Sequence, residues 1–324
     1  MDAETIKKKL TLSDGDTTPM RRNQRNHPAL VIVLLAVTPF VTVAGGVSAQ
    51  SPQSDQPEAP GTRQETDAAS EETAKALAAA RPFFDRIKRA RSTRATIELT
   101  AETIVDGAIV GTQVSTYQIA STAPKSFTVY LKDQTQRTRL FCDGEKATLA
   151  LSPTAFTHLD QVIGMQEAVF GLPFALGPYP EVVLATTLAG VDPALTLANG
   201  MRSLTLMDRG RFRGRTPAIH LRGVQDDDVS WELWLTEGKE PEPLRLQVDL
   251  TQMLRANGDL QLPSGYKYLL RFDYAVWKLN LNNGAELYRY RKLADAKEYE
   301  SIQAYADAER AKNEERAKNA DPGR

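Results

Sequence analysis

The chain of 324 residues has 41% hydrophobic residues and a formal net charge of −1, which suits one large domain or two small ones with a substantial core. The near-neutral charge excludes a global basic field of the kind that attracts nucleic acid. Its one cysteine, Cys142, excludes an intramolecular disulfide and a zinc cluster of cysteines, and we interpret it as a buried structural thiol.

The chain begins with a predicted targeting segment, residues 1–49. Three arginines follow Met20, and an apolar stretch at 29–47 runs into Val-Ser-Ala, a pattern that suits cleavage after Ala49. An uncleaved N-terminal membrane anchor is the alternative, because the stretch approaches the ~20 residues that a membrane span requires. Met20 is an alternative start. Either way, we expect the mature protein to act outside the cytoplasm, in the periplasm.

Two polar segments flank the predicted domain at 71–293. Residues 50–70 are expected to form a disordered linker, because they contain several prolines and almost no large apolar residue. From Glu71 the sequence has a helical pattern, which Pro82 kinks or divides. Residues 294–324 are rich in alanine and charge, which predicts a solvated helix that frays into disorder.

Antiparallel strands are predicted for the first part of the domain. Residues 94–120 have two strand patterns that turn at Asp106-Gly107, and 138–153 have two that turn at Asp143-Gly144. A single strand is expected at 125–133 between them. Residues 154–200 lack period-two patterning and are broken by glycine and proline, so we expect short helices joined by turns.

Strand patterns resume after this helical insert, at 201–207 and 218–224. The stretch from Val229 to Leu250 then alternates strictly on both arms of a hairpin, and each arm has one apolar face. A last long strand at 265–280 changes parity, which predicts a β-bulge between Asp273 and Val276. The element order predicts an α+β fold, with one large curved antiparallel sheet and its helices on one face.

The sequence contains no recognisable catalytic motif. Its three histidines, His27, His158 and His220, lack paired metal-ligand spacing, and no phosphate loop or nucleophile elbow is present. We therefore expect no catalytic residues, no metal and no cofactor, and a protein that is not an enzyme. The basic segment at 209–215 is interpreted as an exposed turn, with contact to anionic headgroups or a partner as the alternative.

Several structural motifs resemble one protein family. They are the leading helix, FCDGEKATLALSP at 141–153, the helical insert, the hairpin at 229–250 and FDYAVWKLN at 272–280. Residues 76–292 are similar to a family of periplasmic proteins of unassigned function within the lipoprotein-carrier-like superfamily. This resemblance implies a half-barrel of antiparallel strands wrapped over a few helices, with an apolar cavity for acyl chains between sheet and helices.

Eight residues are predicted to line an apolar compartment without a buried acid, base or metal. They come from the helical insert and from the inward faces of the hairpin: Phe170, Phe174, Leu176, Val183, Trp231, Leu233, Leu246 and Val248. The predicted partner is a hydrophobic ligand, a lipid or a lipoprotein acyl chain, with transient membrane contact and an envelope protein as further candidate partners. The alternative is a structural or interaction module of the cell envelope with a packed interior.

Overall fold

The computed structural model describes residues 60–133, 137–159, 164–170, 177, 179–197, 200–226, 228–256 and 261–320. The predicted targeting segment and the first part of the predicted linker, at 50–59, lie outside these residues. Within the described ranges, no helix is both long enough and apolar enough to cross a membrane.

Strands dominate the described part of the chain. They are β1 (Ser92–Val105), β2 (Ala108–Thr122), β3 (Ser126–Lys132), β4 (Arg137–Cys142), β5 (Ala147–Ser152), β6 (Ala155–Leu159), β7 (Met201–Phe212), β8 (Thr216–Gln225), β9 (Ser230–Thr236), β10 (Pro243–Asp249), β11 (Lys267–Leu279) and β12 (Lys297–Glu298). The helices are α1 (Pro60–Arg89), α2 (Met165–Phe170), α3 (Pro180–Ala185), α4 (Ala194–Leu197), α5 (Thr251–Ala256), α6 (Ile302–Ala320) and a 3-10 turn at Ala285–Tyr288.

All of these strands belong to one open sheet. Their order is β12-β6-β5-β4-β3-β2-β1-β11-β10-β9-β8-β7, and every pair except β12–β6 is antiparallel. The predicted α+β fold with a large antiparallel sheet is confirmed. Because β6 lies next to one edge and β7 forms the other, the insert that joins them must cross a face of the sheet.

The insert contacts strands that lie well apart in the sheet order. Gly177 lies against the hydroxyl of Tyr117 on β2, whereas Tyr179, two residues later, donates a hydrogen bond to Gln225 on β8. Four strands separate β2 from β8, so this short part of the insert lies over the middle of the sheet.

Turn and bulge signals in the sequence are confirmed. Asp106 and Gly107 both have positive φ (50° and 82°), as the tight turn of a two-residue hairpin requires. The register between β1 and β11 shifts between Thr96 and Ile97, whose partners are Val276 and Tyr274. The skipped residue lies inside the segment where the parity change predicted a bulge.

The amino-terminal helix differs from the expectation. It begins at Pro60 rather than at Glu71, so 60–70 are helical and not a disordered linker, and it continues through Pro82. Proline is well suited to a first helical position, because its missing N–H would have no helical partner there. The fully buried Phe83 packs on Trp277 of β11, with ring centroids 5.7 Å apart.

Two further predictions need correction. The basic segment at 209–215 is not only a turn, because β7 extends to Phe212 and pairs with β8 as far as Thr216. The predicted solvated tail also contributes to the sheet: β12 pairs in parallel with β6, and Ala296 beside it is 6% exposed. Both departures come from backbone pairing, which continues through polar residues that carry no apolar alternation.

Candidate functional site

Apolar side chains form continuous rows across one face of the sheet, which we call the inner face. Register partners in one row are Leu221, Leu233, Leu246, Phe272 and Leu99, and all are at most 1% exposed. The next row runs from Gly223 through Trp231, Val248 and Leu270 to Ala101, and all five residues are buried. Cross-strand neighbours of this kind pack against one another and exclude water from the face.

The insert covers this inner face and is hydrogen-bonded to it. Thr186, directly after α3, bonds with its hydroxyl to the Tyr274 hydroxyl (2.6 Å). The indole N–H of Trp277 donates to the carbonyl of Thr186 (3.0 Å). Four residues of α3 are buried: Val182, Val183, Leu184 and Ala185. The insert is thus fixed by polar contacts at the end of α3, while α3 itself contributes apolar side chains.

Five of the eight predicted site residues come together in one buried cluster. Val183, Trp231, Leu233, Leu246 and Val248 are each 0–1% exposed and belong to the same apolar cluster. Phe170 is the last residue of α2, and its side chain is not among the described ones. The other two, Phe174 and Leu176, lie outside the described residues.

The hairpin register departs from strict alternation at one point. The β10–β9 register shifts at Leu244, which has no partner in the register. Pro243 before it pairs with Leu235, and Arg245 after it pairs with Trp234. Pro243 is therefore buried in the place where the pattern put Leu244, which is half-buried. Beyond this shift the inward residues alternate as predicted, so the apolar face of β10 is intact from Leu246 onward.

The insert carries a half-buried acidic side chain close to Tyr117. Glu181 lies in the first turn of α3, and its Oε2 atom is buried without a hydrogen-bond partner. Burial raises the pKa of this carboxyl above its usual range, although its own backbone N–H opposes the shift. Tyr117 of β2 is fully buried, and its pKa is raised by burial and by the charge of Glu181. The Pro-Glu pair that starts α3 is the sequence signal for this carboxylate, because acidic residues favour the first helical turn.

Trp231 provides a second buried polar atom on the inner face. Its indole lies over Gly223, where an added Cβ would be 2.5 Å from a ring carbon, so only glycine accommodates the ring. The side chain is 1% exposed, and its Nε1 atom has no hydrogen-bond partner among the residues that the structure describes. Sequence reasoning treated Trp231 as purely apolar, because an alternating pattern does not reveal whether an indole N–H finds an acceptor.

Polar side chains on the outer face pair with one another. His220 stacks on Trp234 with 4.3 Å between the ring centroids, and its Nε2 lies 3.1 Å from Glu232. Arg245 donates two hydrogen bonds to the Asp273 carboxylate, one to each oxygen. Such paired groups on a strand surface stabilise the sheet and are not arranged around a reacting atom.

Cys142 is fully buried, as predicted. Its sulfur lies 3.5 Å from the carbonyl of Lys125 on the neighbouring segment. Across the described ranges, no three histidine, cysteine, aspartate or glutamate side chains are grouped as metal ligands would be. The thiol is therefore placed as a core group, away from solvent.

One groove of about 400 Å³ opens at the rim of the sheet. Its lining is mostly charged or polar: Arg86, Arg89, Glu240, Glu242, Lys278, Leu279 and Asn280. Arg86 already donates to the carbonyl of Pro241 (2.6 Å) and lies beside Glu240. This groove has the wrong polarity for an acyl chain, so the inner face is the better candidate site.

No protein-family model matches the chain, and the comparison with curated proteins finds no match. Solved structures similar to it include a DUF1329 family protein from Desulfovibrio piger, with 5% identity and a TM-score of 0.33, covering 68% of this chain and 98% of that one. A LolA superfamily protein from Nitrosomonas europaea gives 12% identity, a TM-score of 0.28 and coverage of 68% and 98%. A domain from Vibrio parahaemolyticus, described as a putative outer membrane lipoprotein-sorting protein, has 8% identity and a TM-score of 0.32. The match covers 67% of this chain and 97% of that one.

Proposed function

We propose that the protein is exported to the periplasm and binds a hydrophobic ligand, without catalysis, between the inner face of its sheet and the covering helices. The observation that supports this most is the pair of continuous apolar rows under the insert. The insert crosses the sheet instead of extending it, so its displacement by a ligand would break the contacts of Thr186 but no strand pairs. A lipid or lipoprotein acyl chain fits such a surface.

In this proposal the favourable free energy of binding comes from burial of the acyl chain and not from polar contacts. Each methylene transferred from water contributes about 0.8 kcal/mol, so about ten methylenes contribute roughly 8 kcal/mol before costs. Loss of translational freedom and displacement of the insert offset a large part of that term.

Export is the part of the proposal that rests on the sequence alone. The basic residues after Met20, the apolar stretch and the small residues before Ala49 have the order of a signal peptide. The single cysteine is compatible with an oxidising compartment, since it has no intramolecular cysteine partner to mispair with.

A packed structural module of the envelope is the second candidate function. It is favoured by the complete burial of Leu233, Leu246 and Val248, because side chains that already touch protein on all sides leave no room for a ligand. In that case the inner face is an ordinary core, and any envelope partner binds elsewhere.

Uptake of the neutral dye Nile red separates the two candidates. Detergent-free protein is titrated with the dye, and bound dye is then displaced with dioleoylglycerol or with phosphatidylcholine. Saturable uptake that either lipid reverses supports ligand binding. Uptake that does not saturate, or none at all, in a protein with a cooperative unfolding transition supports the packed module.

A further inference from the structure

The buried indole N–H of Trp231 requires an explanation. An indole nitrogen donates a hydrogen bond and cannot accept one, and a buried donor without an acceptor is costly and rare in folded proteins. Trp277, also on the inner face of the sheet, satisfies its own N–H with the carbonyl of Thr186 at 3.0 Å. Within the part of the chain that the structure describes, one inner-face indole thus has an acceptor and the other has none.

The position of Trp231 is within the proposed ligand site. Its ring lies over Gly223 of β8, and Gln225, two residues along the same strand, accepts a hydrogen bond from Tyr179 at 2.5 Å. Tyr179 directly precedes α3, the helix that covers the inner face. The free N–H therefore lies near the place where the insert is attached to β8.

The charges around the compartment limit what a ligand can carry. Among the described residues, no lysine or arginine side chain is buried, so no buried cation can neutralise an anion. The acidic group next to the inner face is Glu181, whose burial raises the pKa of its carboxyl. An ionised Glu181 repels an anionic ligand, and a protonated one offers a further donor. The absence of a buried cation among the described residues and the charge of an ionised Glu181 both disfavour a carboxylate in this compartment.

We propose that the ligand is a neutral ester or amide of a long acyl chain, and that its carbonyl oxygen accepts a hydrogen bond from Trp231 Nε1. This inference rests on the proposed function, since it names the ligand class of the same site. The acyl chain lies along the apolar rows and provides most of the affinity. The carbonyl accepts from the buried indole N–H of Trp231, to which no described residue offers an acceptor, and an ester or amide does so without bringing a negative charge.

Three ligands of equal chain length test the inference: methyl dodecanoate, dodecanoic acid and dodecane. Each displaces Nile red from the full mature protein, at a pH where the free acid is ionised. We expect the ester to bind more tightly than the alkane and the acid to bind most weakly. Trp231→Phe should weaken binding of the ester about fivefold more than it weakens binding of dodecane, because one neutral hydrogen bond is lost for the ester alone.

The outcomes distinguish this inference from the function on which it rests. If the wild-type protein takes up no dye and no ligand, both fail. If dodecane binds but the ester binds no better, or if the acid binds as well as the ester, the ligand class is wrong and hydrophobic binding stands. Equal loss of ester and alkane binding in Trp231→Phe also contradicts the hydrogen bond. The order of the three affinities needs only wild-type protein, so the test holds if the variant fails to fold.

Discussion

Truncation of Leu233 measures how closely the inner face is packed. The side chain is 0% exposed, between its register partners Leu221 and Leu246. Leu233→Ala removes three carbon atoms from this row, a transfer loss of about 2.4 kcal/mol, and a cavity adds to it when the neighbours do not collapse. We expect the free energy of unfolding to fall by about 3 kcal/mol.

Urea denaturation followed by far-UV circular dichroism gives this value. For a domain of this size the expected loss moves the urea midpoint by about 1 M. Leu293→Ala is the matched control, because Leu293 is 52% exposed and its truncation should cost no more than about 0.5 kcal/mol. Equal midpoints for the two variants would refute the close packing of the inner face. A large loss for Leu233→Ala that added dioleoylglycerol restores would instead indicate a ligand filling the space.

Three further predictions concern the carboxyl, the thiol and the export signal. Because the pKa of Glu181 is raised in the fold, the folded carboxyl keeps its proton where the unfolded one loses it, so stability falls as pH rises above the ordinary value of 4.5. Glu181→Gln should remove this part of the pH dependence of the urea midpoint, and an unchanged pH profile would contradict the burial argument. Cys142 should resist iodoacetamide in native protein and react after denaturation, whereas rapid native labelling would contradict its burial. Amino-terminal sequencing of the mature periplasmic protein should begin at Gln50, and an intact membrane-bound chain would favour the anchor alternative.

The β-structure of the chain was largely predictable because its signals are local. Alternation at 229–250, the Asp106-Gly107 turn and the parity change before Trp277 each report a property of a few neighbouring residues. Strand β12 could not be predicted in this way. It is two residues long, both are exposed, and it exists because β6 offers an edge to pair with.

The polar groups of the site were not predictable from alternation. Pattern reasoning assigns a side chain to a face, and it placed Trp231 correctly on the inner one. It does not say whether a buried N–H finds an acceptor, which depends on the groups that the tertiary fold brings over it. Glu181 was missed for a related reason. The insert has no period of two, and the half-burial of this carboxyl comes from the tertiary packing of α3, which no local pattern reports.

Mass spectrometry of organic extracts tests the central claim most directly. The protein is purified from the periplasm without detergent, extracted with chloroform and methanol, and compared with a matched extract of the Leu233→Asp variant or of an unrelated periplasmic protein. The account predicts an acyl-chain ester or amide that is present in near-equimolar amount with the wild-type protein and depleted in the comparison extract. A wild-type protein that folds cooperatively, yields no such lipid and takes up no Nile red would contradict the account and leave the packed envelope module.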